Sequence, residues 1–331
     1  MRILFAGSPG IAVPALEAVF ELALRGEGFE LAGVLTNPDS ARGRRGTPEP
    51  SEIAACAERL FQSRAAGGGP VTILKPEKLD AAAREQTAGL NPDILISFAY
   101  GTIFGPRFLA LFPLGGINIH PSLLPQYRGP TPIPAAILAR DRETGISIQR
   151  LAPEMDSGDI LLRETVPLNG RETTASLSAV MARKAAALLP GVLRGLAAGT
   201  LQAEPQNHSE ATFCSLFTKE TGRIDWNHSA AAIDAQIRAY TPWPLSWTTH
   251  NGEQLFILEA KPLETEPGNG TPPAPPGFPG HILGTDKQKG IIIQTGAGAL
   301  AVTALQYRAR KPLEWRAFLN GARNFTGTRL G

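Results

Sequence analysis

Asn118 and His120 are the residues whose types and spacing first suggest chemistry in this chain. They lie two apart in Gly116-Ile117-Asn118-Ile119-His120-Pro121, alternating with apolar Ile117 and Ile119. Residues two apart in a β-strand share a face, so the amide and the imidazole point the same way. Pro121 ends the strand because it brings no N–H to the ladder. The pair is thereby expected at a strand's carboxyl end, where α/β sheets build their sites. A histidine there also serves simply as a satisfied core side chain, and the pair alone leaves both readings open. An amide, a protonated imidazole and a carboxylate from a neighbouring loop together suit acyl transfer to an amine. The first two donate to the tetrahedral oxyanion. The carboxylate favours the imidazolium and passes a proton through water. The tight turn Met155-Asp156-Ser157-Gly158-Asp159 carries two carboxylates, both equally at home in ordinary turn chemistry. Direct attack by the amine needs no Ser or Cys nucleophile, and five histidines without paired spacing give no metal site.

The elements that must position these groups read as an α/β domain. Arg2–Ala6 and Leu31–Thr36 are strands flanking a helix over 12–24, joined by the turn Gly7-Ser8-Pro9-Gly10. There is no third glycine and no Lys-Ser/Thr, so neither nucleotide-binding fingerprint is met. Ser51 caps a helix over 52–64. A strand over 71–74, a helix over 79–88 and the apolar strand Asp93–Ala99 follow, the last running into the loop Tyr100-Gly101-Thr102-Ile103-Phe104. After the central strand comes a short proline-led helix over 132–140. Gly145–Leu151 and Ile160–Val166 form an antiparallel hairpin at the sheet edge. A long helix runs from Thr174 to about Ala198, with Pro190-Gly191 expected to kink it and Gly199 to end it. The polar stretch from Gln202 to Glu210 reads as a linker. Domains are therefore expected over 1–200 and 213–331, joined through 201–212. The second holds a helix over 229–240 and five short strand-like runs, the pattern of a small barrel or sandwich. Pro267–Gly280, rich in Pro and Gly, reads as an irregular surface loop.

Composition bounds the class. At 331 residues, 43% hydrophobic and 19% charged, the sequence suits about two globular domains. No uninterrupted apolar run has the roughly 18 residues of a membrane span, and the opening strand is too short for a signal peptide, so a cytoplasmic protein is expected. Cys56 and Cys214 stand far apart and read as inert thiols. Net charge is only +2, but residues 281–331 hold eight Lys or Arg against two acidic residues, a local +6. That end is either a solvated basic surface or a contact for an anion. The turn-rich stretch Asn37–Pro48 exposes Arg42, Arg44 and Arg45, as a plain surface loop or as a phosphate contact.

Asn118-Ile119-His120-Pro121-Ser122-Leu123-Leu124-Pro125-Gln126-Tyr127-Arg128-Gly129, then Glu143–Ser147 and Met155–Leu161, resembles in that order the 10-formyltetrahydrofolate-dependent formyltransferases. Phe5-Ala6-Gly7-Ser8-Pro9 resembles the family's opening turn, with Ser8 where Thr is usual. Ile11 departs from a usual aromatic, and Pro267–Gly280 is longer than the family pattern. Arg223-Ile224-Asp225-Trp226, Pro242–Trp247 and Phe318-Leu319-Asn320-Gly321 are similar to the C-terminal domain of the methionyl-tRNA formyltransferases within that family. The resemblance covers nearly the whole sequence. It implies a Rossmann-like N-terminal domain with a mostly parallel sheet and a smaller C-terminal OB-like β-barrel. It implies Asn118, His120 and Asp156 as the catalytic triplet, and Ser122, Leu123, Leu124 and Pro125, with Phe98, Tyr100 and Gly101, as the folate site. It also implies Arg42, Arg44 and Arg45 at the tRNA acceptor end, with Arg308, Arg310 and Lys311 on the tRNA-gripping domain. The expected reaction moves the formyl group of 10-formyltetrahydrofolate to the amino group of initiator methionyl-tRNA, in a monomeric enzyme without a metal.

Two other readings stand beside it. Amino-sugar N-formylation uses the same N-terminal motifs, and the basic loop and tail are what favour tRNA over a sugar. A non-catalytic RNA-binding module would make the triplet incidental. A purine formyltransferase would not need residues 205–331.

Overall fold

The structure, a computed structural model, describes residues 1–41, 46–63, 72–263, 278–322 and 324–331. Arg42, Arg44 and Arg45 lie outside the described residues, as does most of the Pro/Gly-rich run expected over 267–280. The molecule divides into two compact units. One comprises Met1–Pro132, Glu143–Pro167 and Ser178–Ser215; the other comprises Ile133–Arg142, Leu168–Leu177 and Leu216–Gly331.

In sequence order the first elements are β1 (Arg2–Gly7), α1 (Val13–Leu24), β2 (Glu30–Leu35), the two-residue β3 (Ser40–Ala41) and β4 (Pro48–Glu49), α2 (Glu52–Ser63) and β5 (Thr72–Leu74). They continue with α3 (Ala81–Gly89), β6 (Ile94–Phe98), α4 (Pro106–Leu109), β7 (Gly116–His120), α5 (Pro132–Ala139), β8 (Glu143–Arg150), β9 (Ile160–Pro167) and α6 (Thr174–Ala197). One seven-stranded sheet runs β5-β2-β1-β6-β7-β8-β9. Its first five strands are parallel. The β8–β9 hairpin closes the edge antiparallel to β7. The order reverses at β1, between β2 and β6, as in Rossmann-like sheets. Ile3, Leu4, Phe5, Ile94, Leu95 and Ile96 are fully buried, which is why β1 and β6 read as unbroken apolar runs.

Ser51 Oγ accepts from Ala54 N–H and caps α2 as its sequence suggests. The structure starts α3 at Ala81 rather than 79, because the Asp80 carboxylate caps it by accepting from Ala83 N–H. Helix α6 runs on through Pro190, where a kink was expected. Gly199 follows its end in the left-handed region, at φ +66°. By length and composition α6 could cross a membrane. Its Met181, Leu189, Val192 and Leu193 are instead buried in the protein, and Lys184 pairs with Glu164 of β9.

The second unit contains α7 (Ala230–Tyr240), β10 (Ser246–His250), β11 (Glu253–Leu263), β12 (Ile282–Asp286), β13 (Gly290–Gln294), β14 (Ala299–Tyr307), β15 (Leu313–Glu314) and α8 (Trp315–Gly321). The expected strand-rich domain is one antiparallel sheet in the order β10-β11-β14-β13-β12, with β15 on β14. Its apolar face and α7 share a core that includes Ile233, Ile237, Leu255, Ile257, Val302 and Phe318. Strand β11 is much longer than Leu255–Leu258, the apolar stretch that marks it in the sequence. Its outer half, Glu259–Leu263, holds two charged residues and a proline and buries no side chain, so it lacks the apolar run that marks its inner half.

Candidate active site

Strand β7 lies between β6 and β8 and ends at His120, as Pro121 dictates. Asn118 stands opposite Gln149 of β8, and His120 opposite Ser147. Facing pairs share a sheet face, so these four polar residues lie together on one face of the sheet. Past Pro121 the backbone folds back over the strand end. The Tyr127 C=O accepts from His120 Nε2 at 2.8 Å. A carbonyl only accepts, so Nε2 carries the hydrogen and Nδ1 is the nitrogen that faces the site.

Asp156 fills the space beside Nδ1, with Oδ2 3.5 Å away. The same oxygen accepts from the Gly129 N–H at 2.8 Å. Its Oδ1 accepts from Asn118 Nδ2 at 3.3 Å and from Gln149 Nε2 at 3.0 Å. The carboxylate is nearly buried, so this ring of donors replaces the water it lacks. The turn bearing it is tightly determined. Asp156 is left-handed at φ +53°, and a Cβ on Gly158 would overlap the Arg150 carbonyl. The structure thus separates the two carboxylates of this turn: Asp156 enters the cluster, whereas Asp159 offers its backbone carbonyl to Arg150 N–H.

The arrangement suits acyl transfer. Asn118 Nδ2 uses one hydrogen on Asp156 and keeps another for a substrate oxygen. A proton taken up by the imidazole goes to Nδ1, between that oxygen and the Asp156 carboxylate. Among the described residues no group of three or more His, Cys, Asp or Glu is placed to hold a metal ion.

The expected folate residues fall around the same strand ends in differing postures. Ser122 and Leu124 are buried. Ser122 Oγ donates to the Gln126 C=O at 2.6 Å, and Leu124 N–H donates to Ser147 Oγ at 3.1 Å. Leu123 and Pro125 alternate with them and are half exposed. Phe98 is buried. The Tyr100 ring stacks on Phe104 inside the core, and burial pushes its phenol up to about 12. Gly101 is exposed, at φ +86°. In the second unit Arg308, Arg310 and Lys311 lie exposed just beyond β14, with the Arg310 guanidinium 5.8 Å from the Tyr307 ring centroid.

Residue-by-residue reading of the sequence missed three members of the cluster. Gln149 had a usable signal: in Ile146-Ser147-Ile148-Gln149 the polar residues alternate just as Asn118 and His120 do. Arg128 and Gln206 had none. Arg128 is buried, and its Nη2 donates to Gln206 Oε1 at 2.7 Å and to His208 Nδ1 at 2.9 Å, across about eighty residues of sequence.

Residues 1–193 match the family model described as formyl transferase, and residues 217–323 match that described as formyl transferase, C-terminal domain. A methionyl-tRNA formyltransferase from Treponema denticola is 48% identical over 327 residues, 98% of each protein. One from Chloroflexus aurantiacus is 40% identical over 324 residues, 97% of each. Among solved structures, WlaRD, a sugar 3N-formyl transferase, superposes with a TM-score of 0.62 at 17% identity, over 94% of this chain and 99% of that one. HypX from Aquifex aeolicus, in complex with tetrahydrofolic acid, gives 0.60 at 19% identity, over 98% of this chain and 48% of that one. At those identities the two structures speak to the fold alone, but the family models together span most of the sequence and the relatives span nearly all of it: the chain belongs to the formyl transferase family.

Proposed function

We propose that the protein moves the formyl group of 10-formyltetrahydrofolate to the amino group of initiator methionyl-tRNA, the activity for which its full-length relatives are named. The observation that carries the chemistry is the meeting of Asn118, His120 and Asp156 in one hydrogen-bonded cluster at the end of β7. The residues present suit a folate donor: the free N–H of Asn118 Nδ2 and the bare Nδ1 of His120 both border Asp156, and Leu123 and Pro125 of the expected folate stretch are half exposed. When bound, the donor supplies a formyl group on a nitrogen that leaves as an amine.

Asn118 Nδ2 donates to the formyl oxygen as negative charge builds on it, and His120 Nδ1 joins it once it has taken the proton given up by the attacking amine. The attacking amine gives up one proton and the departing nitrogen takes one. The His120 Nδ1–Asp156 pair holds the proton between those events. Residues 1–200, with the segment 201–212 packed against their site, carry this reaction, and residues 213–331 grip the tRNA. Arg308, Arg310 and Lys311 meet phosphates, and Arg42, Arg44 and Arg45 meet the acceptor end. The enzyme works in the cytoplasm as a monomer, without a membrane or a metal.

The test is radiolabel transfer from 10-formyltetrahydrofolate to charged initiator tRNA, with nucleotide-linked amino sugars in parallel. Label on the tRNA alone supports the proposal. Label on the sugar alone refutes it and favours amino-sugar formylation.

A further inference from the structure

The segment from Glu204 to Ser215 is clamped to the active site along its length. Glu204 exchanges both backbone hydrogen bonds with Ile160, just past the Asp156 turn, at 2.8 Å each. Farther on, Arg128 N–H donates to the Thr212 C=O at 2.9 Å and Cys214 N–H to the Arg128 C=O at 2.8 Å. Thr212 Oγ1 accepts from Tyr127 N–H at 2.8 Å. The segment therefore holds the loop whose Tyr127 C=O anchors His120 and whose Gly129 N–H binds Asp156.

Gln206 is buried midway between these clamps. Its Nε2 lies 3.0 Å from the Asp156 C=O, 2.6 Å from the Gly158 C=O and 3.2 Å from Gln149 Oε1. Gln149 in turn donates to Asp156 Oδ1. Gln206 Oε1 accepts from Arg128 Nε at 3.2 Å and from Nη2 at 2.7 Å. One amide thus grips the Asp156 turn by its backbone, by its carboxylate through Gln149, and by the catalytic loop through Arg128. Asp156 is left-handed, a conformation that persists only where its surroundings over-determine it. Gln206 supplies that determination from outside the turn.

We propose that Gln206 is a positioning residue for the formyl transfer: its carboxamide holds the Asp156 carboxylate in register with His120 and Asn118. The proposal rests on the reaction assigned above. The Gly129 amide reports Asp156 placement without needing turnover, because it donates to that carboxylate.

The test compares the full-length parent with Gln206→Ala and Gln206→Glu. The glutamate keeps an acceptor for Arg128 and removes both donors to the turn. In both variants the Gly129 amide is expected to exchange about tenfold faster or more, with the amides of β7 and β8 unchanged. In formyl transfer, kcat should fall about 10- to 100-fold, with KM for tRNA and folate within about threefold and the pH profile of kcat displaced. Parent-like Gly129 exchange in Gln206→Glu overturns the proposal, as does a parent-like kcat and pH profile. Faster exchange throughout the first unit in both variants also overturns it, because the role would then be merely structural. A parent that transfers no formyl group refutes the reaction assignment instead, and the Gly129 amide still decides the positioning claim.

Discussion

Gly129 gives its backbone N–H to the Asp156 carboxylate at 2.8 Å from a position that no other residue could occupy without strain. Its φ is +115°, and a Cβ there would overlap the Cys214 carbonyl. Gly129→Ala therefore strains the backbone by about 1–3 kcal/mol and displaces a donor from the Asp156 carboxylate. The expected outcome is a lower melting temperature together with a loss of turnover larger than that of a Gly170→Ala control, a positive-φ glycine outside the site whose Cβ would meet nothing. Thermal melts and steady-state rates on the two variants check it.

Asp156→Asn should keep the fold and both substrates while losing most of the activity. An amide still accepts from Gly129, but it cannot hold a proton beside His120 Nδ1. Matching pH–rate profiles and rates in variant and parent would reduce Asp156 to a turn residue.

Charge removal should act differently at the two basic places. Replacing Arg308, Arg310 and Lys311 by Ala should weaken tRNA binding broadly and flatten its salt dependence by roughly two units of log–log slope, each neutralised phosphate contributing about 0.7–0.9. Turnover at saturating tRNA should largely survive. Replacing Arg42, Arg44 and Arg45 should lower turnover as well, because placing the amine is part of the rate. Unchanged affinity in both triple variants would exclude these contacts with tRNA.

The second unit should lose stability in mild acid through His250. Its ring is buried, with Nδ1 2.7 Å from the Tyr307 hydroxyl and Nε2 3.1 Å from Thr328 Oγ1. Desolvation holds its pKa below the ordinary 6.5, against a weaker opposing pull from Glu253. The unfolded protein therefore takes up the proton first as pH falls. Stability from this group is complete above about pH 6.5 and drains away as pH falls through the depressed folded value. Between pH 7 and pH 5 the melting temperature should drop more steeply in the parent than in His250→Gln. Equal slopes would contradict it.

Cys56 should resist alkylation. Burial first, and the nearby Glu17 carboxylate second, push its thiol up to about 11. At pH 8 its thiolate fraction should be at least about 100-fold below that of a free cysteine, and iodoacetamide should label the native protein correspondingly slowly.

The shared face of Asn118 and His120 was readable in the sequence because a strand's period of two is local. Ile117 and Ile119 mark the buried face, so Asn118 and His120 had to share the other. The same rule would have found Gln149, whose alternation with Ile148 was read only as a half-buried strand. Gln206 could not be found that way. It lies in a stretch without periodicity, and its partners are 48 to 78 residues away, so only the fold brings them together. The polar composition that made 201–212 look like a linker reflects hydrogen bonding to the site. Helix α8 and the outer half of β11 were silent for a related reason: one is short and the other buries no side chain and contains a proline.

The most direct test of the proposed catalytic role of the Asn118–His120–Asp156 cluster is single-turnover formylation of methionyl initiator tRNA at saturating tRNA and 10-formyltetrahydrofolate, comparing the parent with His120→Ala and Asn118→Ala. The expected result is formyl transfer by the parent and rates about 100-fold lower or more in each variant, the scale of a lost oxyanion donor, with folate binding nearly kept. Rates within a few-fold of the parent in either variant would contradict it.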